Sequence, residues 1–198
     1  MKSRMIKLLS MVAAVGSLAI LGATQASAAT TDSGPAKATD VKVNGDVSTQ
    51  ACFGPFKIVN PYSNTVVDID RASLAPGARI TTAVRSTSAS QLWYRCDSAF
   101  GGSVLISAHS GYCIDAALVP GQNLTQESCV GGFDQRFTSV LRFDGYYQTE
   151  NVGTGLAFDT WQTLAPKYLG QDVRQITSPR QAWYAEYVAT PGTLAPVA

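Results

Sequence analysis

Short apolar runs alternate with turn-forming residues over most of the chain, from about Cys52 to Val188. The runs are rich in aromatic and β-branched residues, which favour extended backbone, and Gly, Pro, Asn and Ser separate them. Runs of this kind are typical of short strands joined by tight turns and not of helices. The pattern therefore predicts an all-β domain over residues 51–188.

The two ends of the chain depart from this pattern. Residues 1–28 carry basic residues, then an uncharged apolar run through Leu21, then Ala26-Ser27-Ala28, and this order predicts a secretory signal peptide. A transmembrane anchor is the alternative, but the apolar run is shorter than the roughly 20 residues that a spanning helix needs. Residues 29–50 and 189–198 are small and polar without an apolar period, which predicts flexible segments.

Charge and cysteine content narrow the range of compartments and partners. The predicted signal holds three of the 15 basic residues and none of the 14 acidic ones, so the mature chain is slightly acidic. We therefore expect neither nucleic acid nor membrane insertion. All four cysteines lie in the mature part, and an exported chain meets an oxidising compartment in which disulfides persist. We expect a secreted, extracellular protein, and its four cysteines allow three disulfide connectivities.

The composition gives little reason to expect a metal site or a catalytic site. The chain has a single histidine and no Cys-x2-Cys spacing, so we expect no metal site and no cofactor. A hydrolytic triad needs a histidine beside a nucleophile, and His109 stands in a turn without a nucleophile elbow. We expect that the protein is not an enzyme.

A tripeptide of glutamine, any residue and a large aromatic recurs three times. Its copies are Gln91-Leu92-Trp93, Gln135-Arg136-Phe137 and Gln181-Ala182-Trp183, at intervals of about 45 residues. Repetition at this period indicates units that cannot bury their apolar faces alone and must share one core. A propeller of similar period typically has four or more blades, and only three units fit in this chain.

Each unit also carries an aspartate in a repeated setting. A hydroxyl residue followed by Asn or Gly precedes it, and these two residues tolerate best the positive φ of a tight turn. A glycine and then an aliphatic strand residue follow it. The aspartates are Asp68, Asp115 and Asp159; the turn pairs are Ser63-Asn64, Ser110-Gly111 and Thr154-Gly155; the aliphatic residues are Ile80, Leu124 and Val173.

Three units in this order resemble the ricin B-type lectin domain, and the resemblance covers about Phe56 to Tyr187. It implies a β-trefoil with pseudo-threefold symmetry, in which six strands form a barrel and three hairpins cap it. In that family the aromatic of each tripeptide packs in the shared core, and the glutamine ties down local backbone. The resemblance also implies a disulfide between Cys113 and Cys129, and with it a second between Cys52 and Cys96.

The resemblance implies sugar binding at the repeat aspartates. A sugar presents neighbouring hydroxyls and a flat C–H face. A binding site therefore needs a carboxylate to accept from the hydroxyls, an aromatic ring to pack on the C–H face and an amide to fix the orientation. The aspartates match the carboxylate, but the aromatic and the asparagine of the family are replaced in every repeat. The aromatic positions hold Ala83, Glu127 and Ile176, and the asparagine positions hold Ser90, Asp134 and Arg180.

Two repeats offer substitutes for the missing groups. In repeat three, Trp161 lies two residues beyond the aspartate and Tyr168 is in the same loop. In repeat two, an all-polar acidic pocket could form. The candidate carbohydrate-binding residues are Asp68, Asp115, Glu127, Asp134, Asp159 and Trp161. Alternatively, the aspartates hold turns by bonding backbone amides.

We expect a monomeric carbohydrate-binding protein with one shallow site per repeat, some of them degraded. Its ligand would be a mono-, oligo- or polysaccharide. The alternative is a trefoil scaffold that acts as a protein-interaction module or protease inhibitor without sugar binding, since trefoil loops also serve those roles. Competition by free sugar separates the two hypotheses.

Overall fold

The computed structural model describes residues 37–38, 41–47, 49–160 and 167–188. The predicted signal peptide and the predicted tail lie outside these residues. The described residues belong to one compact unit, Ser33–Ala198, and their regular structure consists of fourteen strands and three short 3-10 turns. No helix in this part of the chain is long and apolar enough to cross a membrane.

The strands are short because turn residues interrupt the apolar runs. The first are β1 (Lys37–Ala38), β2 (Thr49–Asn60), β3 (Thr65–Ile69), β4 (Ile80–Val84) and β5 (Trp93–Ser98). Repeat two provides β6 (Ser103–Ser107), β7 (Cys113–Asp115), β8 (Thr125–Glu127) and β9 (Phe137–Leu141). Repeat three provides β10 (Tyr147–Asn151), β11 (Ala157–Asp159), β12 (Lys167–Tyr168), β13 (Gly170–Asp172) and β14 (Tyr184–Tyr187). The 3-10 turns are Asp70–Ala72, Ala89–Gln91 and Pro179–Gln181.

Two strands from each repeat close into a barrel. Antiparallel pairing runs from β2 through β5, β6 and β9 to β10, and β14 pairs with β2. The ring closes between β10 and the start of β14, where the backbones of Tyr147 and Trp183 exchange two hydrogen bonds of 2.8 Å. Closure satisfies the strand edges that an open sheet would expose. The predicted six-stranded barrel is therefore confirmed.

Three hairpins, β3–β4, β7–β8 and β11–β13, cap one end of the barrel. Ile80, Leu124 and Leu169 are fully buried and come together from the three repeats. The amide of Ile80 donates to the carbonyl of Leu124 at 2.9 Å, and Leu124 donates to Leu169 at 2.8 Å. Leu169 donates back to Ile80 at 2.9 Å, which completes a cyclic set of bonds about the pseudo-threefold axis. The β-trefoil prediction is confirmed.

The aliphatic strand residue of repeat three is Leu169, and the prediction of Val173 for this role is wrong. Leu169 is fully buried, whereas Val173 is 58% exposed. Gly170 lies inside β13 and does not precede the strand as a turn glycine would. The third position after the strand residue, where the family has its aromatic, is therefore Asp172 and not Ile176.

The tight turns predicted before each aspartate are present. Asn64, Gly111 and Gly155 have φ angles of 54°, 79° and 69°, in the left-handed region that favours Asn and Gly. A side-chain oxygen at the start of each turn accepts the hydrogen of a backbone amide three residues later. These pairs are Asn60 with Ser63, Ser107 with Ser110 and Asn151 with Thr154.

The aromatic of each repeated tripeptide lies in the core. Trp93, Phe137 and Trp183 are 0%, 3% and 1% exposed. The ring of Phe158 packs edge-on against both Phe137, at a centroid distance of 5.0 Å, and Trp183, at 6.5 Å. Truncating a buried ring of this kind to alanine typically costs about 3–5 kcal/mol. The tripeptides are scaffold, as the resemblance implied.

Both disulfides implied by the resemblance are present. Cys113 pairs with Cys129 inside repeat two, and Cys52 pairs with Cys96 between β2 and β5. All four cysteines of the chain are therefore paired. This state is consistent with an oxidising, extracellular compartment.

Residues 41–47 lie against repeat two, where the sequence predicts a flexible segment. The amide of Asn44 donates to the carbonyl of Gly111 at 2.8 Å, and its carbonyl accepts from the amide of Cys129 at 2.6 Å. Three partly buried valines of this segment pack on the Cys113–Cys129 cluster: Val41, Val43 and Val47. The prediction of flexibility is wrong for these residues, because their valines pack on repeat two and Asn44 is hydrogen-bonded to it.

Candidate functional site

The three repeat aspartates occupy equivalent positions in the hairpin cap. Their partners across each hairpin are Thr81, Thr125 and Gly170. One carboxylate oxygen of each aspartate accepts a hydrogen bond from the tripeptide glutamine of its own repeat. The pairs are Asp68 with Gln91 at 2.9 Å, Asp115 with Gln135 at 2.9 Å and Asp159 with Gln181 at 3.0 Å. The described partner of each aspartate is thus a side chain and not a backbone amide.

Each glutamine also clamps the loop that leads to it. The second Nε2 hydrogen goes to a backbone carbonyl, of Val84, Ser128 or Val173, at 2.9–3.0 Å. The Oε1 atom accepts from a backbone amide, of Ser86, Val130 or Gln175, at 2.7–2.8 Å. The glutamines are almost completely buried, and these bonds satisfy them fully. Their rigid side chains fix the orientation of the aspartates.

Repeat one provides a carboxylate with little around it. Asp68 is half-buried, and its Oδ1 atom has no hydrogen-bond partner among the described residues. Ala83 and Ser90 occupy the two companion positions, so neither adds a charge or a ring. Because this Oδ1 atom is itself buried, repeat one presents neither an open acceptor nor a stacking surface to a ligand.

Repeat two brings three carboxylates together. Cys113 pairs with Glu127 and Asp115 pairs with Thr125, so Asp115 and Glu127 project from the same face of the β7–β8 hairpin. Asp134 approaches from the loop before the glutamine, and its backbone carbonyl accepts from the amide of Ala116 at 3.0 Å. Glu127 and Asp134 are thus charged neighbours of Asp115, and their role in binding stays a prediction.

The electrostatics of repeat two follow from this arrangement. Burial raises the pKa of Asp115 above its usual value of 3.8, and the negative charges of Asp134 and Glu127 raise it further. The hydrogen bond from Gln135 acts in the opposite direction. Gln135 engages only Oδ2 of Asp115, which leaves Oδ1 to accept a hydrogen bond from a ligand hydroxyl.

Repeat three differs because its aspartate is enclosed. Asp159 is 1% exposed, and Oδ1 lies 3.4 Å from Nε of Arg180 while Oδ2 accepts from Gln181. Burial raises the pKa of Asp159, Gln181 and Arg180 lower it, and nearby Asp172 raises it. Oδ1 is buried and has no hydrogen-bond partner among the described residues, so this aspartate is not an open acceptor.

Two further expectations bear on the site. Trp161 lies outside the described residues, so its stacking role stays a prediction. Among the residues that are described, no three His, Cys, Asp or Glu side chains are arranged to hold a metal ion.

Sequence reasoning missed the aspartate–glutamine bonds, Asp172 and the role of Arg180. A similar offset in every repeat could have found the first, since the glutamine follows its aspartate by 23, 20 and 22 residues. A shared Leu-x-Gln-acid pattern could have found Asp172, because Leu124 to Glu127 and Leu169 to Asp172 both carry it. No local signal indicates that Arg180 pairs with Asp159.

Comparison with known families gives one match. Residues 42–119 match the model of the ricin-type β-trefoil lectin domain-like family, a range that contains Asp68 and Asp115. A comparison with curated protein sequences finds no match.

Solved structures share the fold of this chain. ThreeFoil, a designed threefold symmetric protein, is 27% identical with a TM-score of 0.64, over 67% of this chain and 98% of that one. The exo-β-1,3-galactanase 1,3Gal43A from Clostridium thermocellum is 26% identical with a TM-score of 0.64, over 68% of this chain but only 30% of the enzyme. The C-half of the earthworm R-type lectin, solved with GalNAc, is 19% identical with a TM-score of 0.54, over 66% of this chain and 96% of that one. Residues 42–119 are therefore similar to the ricin-type β-trefoil lectin domain-like family, and the described residues have the β-trefoil fold.

Proposed function

We propose that this ricin-type β-trefoil domain binds neutral carbohydrate outside the cell, with its principal site at Asp115 in repeat two. The observation that carries the proposal is the half-buried carboxylate of Asp115, oriented through one oxygen by Gln135 and open at the other. A carboxylate held in this way accepts hydrogen bonds from sugar hydroxyls without first having to be ordered.

The neighbouring residues support a polar mode of recognition. Glu127 and Asp134 add acceptors for further hydroxyls, and their charges disfavour sugars that carry carboxylates. Two exposed aliphatic residues, Leu118 and Val119, follow in the loop after β7 and would supply contact for the C–H face. Because the site has no aromatic ring, we expect a single site to bind weakly and a multivalent ligand to bind more tightly.

The other repeats contribute unequally in this proposal. Asp68 contributes little, because one carboxylate oxygen is bonded to Gln91 and the other is buried. Asp159 is closed by Arg180 and binds no sugar. The paired cysteines and the predicted signal peptide support a secreted protein, and we propose that it acts by binding and not by catalysis.

A glycan array tests the proposal with the predicted mature chain, residues 29–198. The Asp115→Asn variant keeps an oxygen that can accept from Gln135 but lacks the charge, so it should fold and lose binding. Glu186→Gln, on β14 and paired with Arg85, is the matched control and should bind as the wild type does. Binding that free sugar cannot displace, or that Asp115→Asn retains in full, would contradict the proposal.

One surface favours the alternative of a protein-interaction module. Phe100 and Phe133 are 78% and 65% exposed, and Arg136 joins them by lying 4.7 Å over the Phe133 ring and donating to the Phe100 carbonyl. Exposed aromatic clusters of this kind occur at protein interfaces. Protein capture that is insensitive to sugar and lost in Phe133→Ser would support this alternative, and inhibition of a protease panel would test its inhibitor form.

A further inference from the structure

A recess lies at the other end of the barrel from the hairpin cap. It has a volume of about 700 Å³, and its lining includes Gly102, Ser103, Tyr147 and Tyr187. Sites for small organic ligands commonly measure about 300–1,000 Å³. We call this recess the barrel-end pocket.

The barrel-end pocket exists because of the side chains that point inward. Inward residues alternate along each strand, and the innermost layer is filled by Trp93, Phe137 and Trp183. Two residues further out along β9 and β14, the lining residues are Ser139 and Ala185. These side chains are too small to fill the barrel as large apolar residues would. The sequence therefore leaves this end open.

The floor and walls of the pocket differ in character. Phe56, Leu105, Phe137 and Trp183 line it and are at most 6% exposed, which gives a dry aromatic and aliphatic floor. Tyr147 and Tyr187 are 44% and 45% exposed and stand at the rim. A flat apolar ring could therefore enter the floor, with tyrosine rings beside it.

The polar groups of the pocket are mutually neutralised. Arg95 lies 3.7 Å from Asp97, and Asp97 also accepts a hydrogen bond from Ser103 at 3.0 Å. Each charge has an opposite charge within the same wall, so the pocket has no net charge to attract an ion. The remaining polar groups are hydroxyls, which suit a ligand with hydroxyl groups at its outer end.

We propose that the barrel-end pocket binds a neutral molecule in which an aromatic ring is joined to a hydroxylated ring, of which a phenyl glycoside is the simplest example. The aromatic ring would occupy the floor formed by Phe56, Leu105 and Trp183. The hydroxylated ring would lie at the rim beside Tyr147 and Ser103. This site is separate from Asp115 and does not depend on the proposed carbohydrate site.

The test compares phenyl β-glucoside and phenyl β-galactoside with the corresponding methyl glycosides. Binding to the mature chain is measured by calorimetry and by the NMR signal of the Trp183 indole N–H, assigned with Trp183→Phe. We expect the phenyl glycosides to bind at least tenfold more tightly than the methyl glycosides and to shift the Trp183 signal. Equal affinities, or no binding by a folded wild type, would overturn the proposal.

Two substitutions on one strand locate the ligand. Ser139→Phe fills the pocket from its inner wall and should abolish the affinity gained from the phenyl ring. Val140→Phe, the next residue of β9, adds the same ring at a position that does not line the pocket and should leave binding unchanged. Thermal unfolding measurements show whether each variant is folded. Phenyl-dependent binding that survives in folded Ser139→Phe would contradict the assignment.

One further variant separates this site from the one in repeat two. Asp115→Asn should keep phenyl-dependent binding at the wild-type level even when it loses glycan binding. Loss of both activities in that variant would place the phenyl glycoside in repeat two and overturn the barrel-end assignment.

Discussion

Asp115 and Asp159 hold the same position in their repeats and accept the same bond from a tripeptide glutamine, yet their surroundings are opposite. Asp115 is half-buried beside Glu127 and Asp134, whereas Asp159 is 1% exposed and lies 3.4 Å from Arg180. The glutamine bond is thus a scaffold feature common to both repeats. The residue before the glutamine, Asp134 or Arg180, gives the two aspartates charged neighbours of opposite sign.

The largest expected difference between the two aspartates is in stability. Asp159→Ala leaves Gln181 and Arg180 without their buried acceptor, so the free energy of unfolding should fall by about 3 kcal/mol. Asp115→Ala should cost only about 1 kcal/mol, because Asp115 is half-buried and water can take its place beside Gln135. Urea unfolding measures both, and equal losses would refute the distinction.

Replacing the residue before the glutamine of repeat two by arginine should give Asp115 the same charged neighbour that Asp159 has in repeat three. In Asp134→Arg, the new guanidinium should pair with Asp115 as Arg180 pairs with Asp159, and sugar affinity should fall at least tenfold, or about 1.4 kcal/mol. Asp134→Asn is the control, since it removes the acid without adding a partner, and should lose less. If the two variants bind equally, closure by arginine is not what inactivates repeat three.

Acidification should weaken sugar binding through Asp115. The anion is the better acceptor, and burial with two neighbouring acids raises the pKa of Asp115 above 3.8, so binding should be complete above the raised pKa and be lost as pH falls through it. Asp134→Asn removes one cause of the rise and should move the loss to lower pH. Calorimetric titration across pH 3–7 measures the midpoint, and an unchanged midpoint in the variant would contradict this coupling.

The smallest effect is expected from Arg180→Ala. Its side chain is 35% exposed, so the pair with Asp159 is partly screened and its removal should change the free energy of unfolding by about 1 kcal/mol or less. The pKa of Asp159 should rise, because Arg180 is one of the groups that lower it. Carboxyl NMR titration detects the rise, and a fall would show that Arg180 does not stabilise the anion.

The sequence predicted the features that depend on local pattern. The three Gln-x-aromatic tripeptides and the turns at Asn64, Gly111 and Gly155 lie where the repeat placed them, because buried rings and positive φ angles tolerate few residue types. Both disulfides followed from the family resemblance. These features identify the β-trefoil without any knowledge of contacts between repeats.

The errors arose where spacing differs between repeats. Gly170 stands three residues before Val173, as the turn glycine of the other repeats stands before its aliphatic strand residue. The buried strand residue of repeat three is nevertheless Leu169. The enclosure of Asp159 escaped prediction because a salt bridge with Arg180 depends on how two loops fold together. The sequence can identify the repeat aspartates as candidates, but whether a ligand can reach them depends on the tertiary structure.

The cyclic set of bonds among Ile80, Leu124 and Leu169 constrains how the molecule folds. Each bond connects residues far apart in the chain, so no single repeat can form its share before the others arrive. Such non-local contacts raise the contact order and slow folding relative to a helical domain of similar size. The three amides should exchange their hydrogens with solvent only when the whole trefoil opens, which makes them reporters of global unfolding.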